Sequence, residues 1–130
     1  MFPHFRILSL VVLTVVSASA AAKEIPCQPA RWEKSMTRFA SADEKHLPEP
    51  GGIVFVGSSS IRLWKLAEYF PKLEPLNRGF GGSEICDSLH YFDTLVTKHE
   101  PNAVVLYAGD NDVARGKIAG QVHREVLNSV

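Results

Sequence analysis

An open parallel α/β sheet with helices packed on it is the architecture this sequence predicts, and three observations predict it. From Ile53 onward, short apolar runs rich in β-branched residues alternate with segments of helical period. Each run leads into a glycine-led polar turn. The third run, Ala103-Val104-Val105-Leu106-Tyr107, is apolar at every position, the pattern of a parallel strand covered on both faces.

What precedes the sheet divides into two parts. Met1 to Arg6 is short and weakly basic, Ile7 to Val16 is apolar, and Ser17 to Ala22 supplies the small residues of an A-x-A cleavage site. The apolar run is shorter than the roughly 20 residues that cross a bilayer. Residues 1–22 therefore read as a secretory signal cut between Ala20 and Lys23, which predicts a secreted or periplasmic protein. Glu24-Ile25-Pro26 before Cys27 does not suit lipidation, so no stable membrane anchor is expected. Residues 23–52 are an N-terminal helix and a linker. The helix is predicted over Ala30 to Ala42, with Trp32, Met36 and Phe39 on one stripe. His46 to Gly52 follows, stiffened by two prolines and released by two glycines.

Residues 53–130 carry the alternating pattern. Ile53 to Val56 is the first strand, and Ile61 to Phe70 a helix in which Trp64 and Tyr69 are expected in the core. Leu73 to Asn77 is a short second strand, followed by the turn Arg78 to Gly82. Ser83 to His99 reads as one long helix, capped by Ser83, with Ile85, Leu89, Phe92 and Val96 on its inner face. Ala103 to Tyr107 is the third strand, and a further helix runs through His123 to the end of the sequence. With the strand order usual in open sheets, the first strand lies between the other two. The third then has a free apolar edge, which natural proteins avoid. The sequence is accordingly expected to be the N-terminal part of a larger domain, with self-association through the third strand as another way to cover that edge.

Fourteen basic and fourteen acidic side chains cancel, leaving no field to recruit nucleic acid or an anionic membrane. Export would put Cys27 and Cys86 in an oxidising compartment. They could pair, or stay as one surface thiol and one buried small side chain.

The carboxyl ends of parallel strands share one rim, where ligands bind in open α/β sheets. Three loops fall there: Gly57 to Ser60, Gly79 to Ser83, and Gly109 to Asp112. Phe55-Val56-Gly57-Ser58-Ser59-Ser60 resembles the first motif block of the SGNH, or GDSL-type, hydrolases, in which a strand runs into Gly-Asp-Ser. Asn77-Arg78-Gly79-Phe80-Gly81-Gly82 resembles the second block, and Gly109-Asp110-Asn111-Asp112 resembles the third, Gly-x-Asn-Asp. The resemblance implies a flavodoxin-like three-layer α/β/α sheet, of which about three of five strands are present. It also implies Ser59 as nucleophile, and an oxyanion hole made of the Ser59 N–H, the Gly82 N–H and the Asn111 side chain. The substrate would be a small carboxylic ester, cleaved through an acyl-serine intermediate without metal or nucleotide cofactor.

Each role has its own physical reason. A serine between strand and helix holds its hydroxyl at the rim. Glycine at 82 lets backbone approach a substrate. An asparagine amide is a neutral donor to a developing oxyanion. Two departures from the family pattern matter: Ser58 replaces the usual aspartate, and the C-terminal Asp-x-x-His block is absent. Without that block Ser59 has no general base and is a poor nucleophile. His46, His90, His99 and His123 are expected to be solvated or packed; His90 would lie roughly 10 Å along a helix from Gly82. Asp112, Arg62 and Arg115 read as structural, and Ser60 as the helix cap.

Other classes fit less well. Ile61 replaces the closing glycine of a Gly-x-Ser-x-Gly elbow, and neither glycine loop has dinucleotide or Walker spacing. A flavodoxin-like ligand-binding module, or a catalytically dead fragment that keeps the fold, are the alternatives.

Overall fold

β1 (Ile53–Gly57) is the centre of a parallel sheet in the computed structural model, with β2 (Leu76–Gly79) on one side and β3 (Ala103–Tyr107) on the other. The structure describes residues 23–128, so the predicted signal segment 1–22 lies outside the described residues. The expected strand order is the observed one, and β3 is an edge.

Alternation along β1 divides the protein into layers. Val54 and Val56 face one cluster with Met36, Phe39, Phe80, Leu95 and Val96. Phe55 points the other way, onto Ile61 and Leu66, with Ile53 and Phe70 beside it. A strand with side chains buried on both faces needs helices on both, which is the three-layer α/β/α arrangement.

The first face is covered by α1 (Glu33–Lys45), α4 (Ile85–His90) and α5 (Phe92–Leu95). A short 3-10 turn, Pro29–Trp32, leads into α1, so the regular helix begins and ends about one turn later than predicted. Glu33 in its first turn and Lys45 in its last complement the helix dipole. The second face is covered by α2 (Ser59–Leu63) and α3 (Leu66–Tyr69).

Three helical predictions need correction. The segment 61–70 is two short helices because Trp64 is extended, and the Asn77 amide donates to the carbonyls of Ile61 at 2.7 Å and Trp64 at 3.3 Å. Those bonds satisfy carbonyls that a continuous helix would have used. Trp64 and Tyr69 are correspondingly not core residues: they are 38% and 68% exposed and meet edge to face, ring centres 6.4 Å apart. The segment 83–99 likewise breaks into α4, α5 and a 3-10 turn, Thr97–His99, with the Tyr91 hydroxyl tied to the Pro29 carbonyl at the first break. Ser83 is not the cap; Glu84 precedes α4, and its N–H donates to Asp87 Oδ2 at 3.0 Å.

β2 starts three residues later than predicted. Glu74 has φ +45, a left-handed conformation that breaks an extended strand, and Pro75 follows it. Arg78 and Gly79, expected in a turn, are therefore strand residues.

After β3, α6 (Asp110–Ala114) and α7 (Ala119–Leu127) close the described chain. α7 ends at Leu127, and residues 129–130, where the sequence was expected to stop in mid-helix, lie outside the described residues. Cys27 and Cys86 form a disulfide, which pins the segment before α1 to the first turn of α4. Closing a loop of that size stabilises by about 4 kcal/mol in the chain-entropy account. Among the described residues no helix is long and apolar enough to cross a membrane.

Candidate active site

The three predicted loops do converge at the carboxyl end of the sheet, and backbone groups hold them together. The Gly57 carbonyl accepts from the Phe80 N–H at 2.9 Å and from the Ser83 hydroxyl at 3.3 Å, joining the first loop to the second. The Asn111 amide donates to the Ser83 carbonyl at 2.9 Å, joining the second to the third. Ser58, fully buried, donates from its backbone to the Tyr107 carbonyl and from its hydroxyl to Asp110 Oδ1 at 3.4 Å. That closes the ring of contacts from third loop to first.

Steric limits explain two of the glycines. A Cβ on Gly57 would sit 2.0 Å from the Tyr107 carbonyl oxygen, and φ there is +145. On Gly79 a Cβ would sit 2.2 Å from the backbone nitrogen of Arg62. Strands and helix starts approach each other here more closely than any side chain permits.

Ser59 is the first residue of α2, half-buried. Ser58 occupies the cap position, although its hydroxyl makes no cap bond, and Ser60 is an exposed helical residue. The expectation that Ser60 caps the helix is thus incorrect, because the helix begins one residue earlier. Gly82 is exposed with φ +82. Trp32 backs it, 3.3 Å from where a Cβ would project. Asn111 spends one amide hydrogen on Ser83 and has a second available.

Among the described residues no side chain hydrogen-bonds to the Ser59 hydroxyl. The described histidines lie elsewhere. His99 is buried against Arg78 and Asp43, His46 lines a cavity of about 570 Å³ beside the amino ends of β1 and β2, and His90 and His123 are exposed.

Sequence reasoning missed the group that holds the loops from beneath. Lys117 is buried and lies 2.8 Å from Asp112, 2.8 Å from Glu125 and 2.9 Å from Glu84. Asp112 also accepts from the Ile85 N–H at 3.1 Å, and Arg115 pairs with Glu84. Burial alone would lower the Lys117 pKa, but bonds to Asp112, Glu125 and Glu84 outweigh it and raise the value. Asp112 and Arg115 are structural, as expected. Arg62 instead sends its guanidinium over Gly81. Two carboxylates next to the motif residues, Glu84 and Asp112, were the available signal that a buried cation must lie close by.

Cys27, Cys86 and Asp87 bring potential metal-ligand atoms within 4.8 Å of one another. The two sulfurs are bonded to each other, so the trio does not offer a thiolate pair to a metal.

No protein-family model and no curated protein matches the chain. Solved structures do. One, described as a candidate platelet activating factor from Streptococcus pneumonia, aligns with TM-score 0.66 at 20% identity over 77% of this chain and 47% of its own. A candidate acylhydrolase from Bacteroides fragilis aligns with TM-score 0.60 at 26% identity, covering 70% of this chain and 48% of that one. A GDSL-like lipase from Bacteroides thetaiotaomicron aligns with TM-score 0.54 at 24% identity, over 79% and 56%. The chain spans about half the length of the structures it matches. Over that span it has the fold of the SGNH, or GDSL-type, hydrolases.

Proposed function

We propose that the chain is the N-terminal part of an exported serine esterase of SGNH type, acting on small carboxylic esters. The observation that carries this reading is the joining of the three loops through Gly57, Ser83 and Asn111. It gathers Ser59, Gly82 and Asn111 at the sheet end where open α/β proteins bind ligands.

In the proposed reaction the Ser59 Oγ attacks the ester carbonyl carbon, and the carbonyl oxygen takes up negative charge. The Ser59 N–H, the Gly82 N–H and the free Asn111 amide hydrogen donate to that oxygen. Collapse expels the alcohol and leaves an acyl-serine, which water hydrolyses. The Ser59 proton needs an acceptor, and none of the described histidines touches the hydroxyl. We therefore expect this chain alone to hydrolyse p-nitrophenyl acetate weakly or not at all.

Labelling by a fluorophosphonate tests the site without requiring turnover. The expected result is slow covalent modification, abolished by Ser59→Ala and slowed about 10²-fold by Asn111→Ala. Modification that survives Ser59→Ala would reject the nucleophile. Robust ester turnover abolished by Ser59→Ala would show that a base has been overlooked.

A further inference from the structure

We propose that Trp32 is a positioning residue for the Gly82 N–H: the edge of its indole holds the Gly81–Gly82 peptide in the orientation that turns this donor toward the rim. The inference rests on the reading of Gly82 as an oxyanion donor. The loop itself is a four-residue turn. The Ser83 N–H donates to the Phe80 carbonyl at 3.3 Å, and of the two central glycines only Gly82 is left-handed, with φ +82, which is the type II form. Both ends are tied to β1, since the Gly57 carbonyl accepts from the Phe80 N–H and from the Ser83 hydroxyl. Between these anchors no Cβ hinders the central peptide in either orientation, and type I differs from type II by rotating that peptide through about 180°.

That rotation reverses the donor. At a positive φ the preceding carbonyl lies on the side where a Cβ would stand, which is the clash that closes this region to most residues, and the N–H points the opposite way. A Cβ on Gly82 would stand 3.3 Å from Trp32 Cη2 and 4.0 Å from Cζ2. The indole therefore backs the Gly81 carbonyl, and the Gly82 N–H faces away from it. In the flipped, type I turn the N–H would point at the ring instead. No other indole atom comes within 4 Å of that position, so the ring presents its edge. An aromatic edge is the positive part of the ring's quadrupole; it attracts a carbonyl oxygen and repels an N–H hydrogen. Trp32 thus favours the turn in which the Gly82 N–H is open to a substrate oxygen.

The segment that carries Trp32 is itself fastened. The Cys27–Cys86 disulfide joins it to the first turn of α4, the Gln121 side chain bonds both the Ile25 N–H at 3.2 Å and the Ile25 carbonyl at 2.9 Å, and the Pro29 carbonyl accepts from the Tyr91 hydroxyl at 2.9 Å. The indole then meets Phe80 edge to face, ring centres 5.7 Å apart. Its own Nε1 is buried without a partner among the described residues, so no hydrogen bond of the indole accounts for its place. Phenylalanine would make the contact with Phe80 without burying an unpaired donor. What the indole adds is reach to Gly82.

NMR of the turn and fluorophosphonate labelling of Ser59, both on the oxidised chain, test the proposal together. In the wild type a strong nuclear Overhauser effect should join Gly81 Hα to the Gly82 N–H, the mark of the observed turn; the flipped turn brings the Gly81 and Gly82 N–H hydrogens together instead. Trp32→Phe keeps a ring beside Phe80 and withdraws the edge from Gly82. It should show both effects, with labelling slowed about 10-fold, less than the loss of a donor outright. Adding Gly81→Pro should restore the single effect and the rate, because Pro-Gly at the centre specifies type II; the exposed Arg62 side chain over Gly81 has room to swing aside. A merely structural tryptophan would not be rescued by a proline in the loop. A Trp32→Phe turn like that of the wild type, a flip that the proline does not reverse, or a labelling rate indifferent to the flip overturns the proposal. Should Trp32→Phe fail to fold, Trp32→Leu with the same proline decides by the same signals. If the turn follows Trp32 while no protein, wild type included, is labelled, the positioning stands and the esterase reading fails.

Discussion

Two buried charge clusters hold this small protein together, and they are built on opposite principles. Beneath the rim loops one cation, Lys117, is surrounded by carboxylates of Asp112, Glu84 and Glu125. Under α1 one carboxylate, Asp43, is surrounded by cations: Arg78 and Lys98 pair with it, with His99 at 3.8 Å. The first cluster gives its central group several direct hydrogen bonds. The second leaves His99 Nδ1 and Arg78 Nε without partners among the described residues. A well-paired cluster fixes geometry, and a partly paired one is sensitive to its surroundings. The rim cluster is the one beside the candidate site.

Breaking the rim cluster should have the largest effect. Lys117→Met keeps the volume and removes the shared cation, leaving Asp112 buried without its counter-charge. A loss of about 3–5 kcal/mol is expected in urea unfolding, with fluorophosphonate labelling of Ser59 slowed in whatever fraction remains folded. Asp43→Asn should cost less, about 2 kcal/mol, because Arg78 also lies over the Phe39 ring at 4.9 Å and beside His99 Nε2 at 3.2 Å. Unfolding of that variant should leave the labelling rate of the folded fraction unchanged. Equal effects of the two substitutions on labelling would erase the distinction between the clusters.

The smallest effect is a pH dependence, and the clusters respond to opposite ends of the scale. Burial and then the Arg78 charge push His99 below its ordinary 6.5. The unfolded chain then binds the proton more readily, so stability falls as pH drops through about 6.5. Burial would raise the Asp43 pKa, but the Lys98 hydrogen bond and the Arg78 charge hold it below 3.8, adding a second loss in stronger acid. Lys117 is raised above 10.5; its contribution is complete below that value and disappears only in strong alkali. His99→Gln should flatten the limb just below neutrality in pH-dependent urea midpoints. An unchanged limb would assign that titration to another group.

Much of the fold was legible in the sequence because β-branched runs and glycine turns are local signals. The strands, their order and the free edge of β3 all follow from them. The helix breaks were not, since each depends on a distant group: Asn77 takes the carbonyls of Ile61 and Trp64, and Tyr91 reaches Pro29. The start of β2 was displaced by the left-handed Glu74, a conformation that glycine or asparagine signals and glutamate does not. Within the candidate site, Ser59, Gly82 and Asn111 were legible as motif residues. Lys117 was not, because nothing local separates a lysine that will be buried among three carboxylates from one in solvent.

The Cys27–Cys86 bond also divides the chain topologically. Residues 27 to 86 become a covalent ring that contains β1 and β2, while β3 belongs to the tail outside it. A protease that cuts the linker between α1 and β1 would leave one molecule with two new ends and no lost mass until a reductant was added. A cut after β2 in the tail would sever the covalent link to β3 and leave only its pairing with β1 to hold it. The same fold thus carries one half that tolerates a nick and one half held only by its packing.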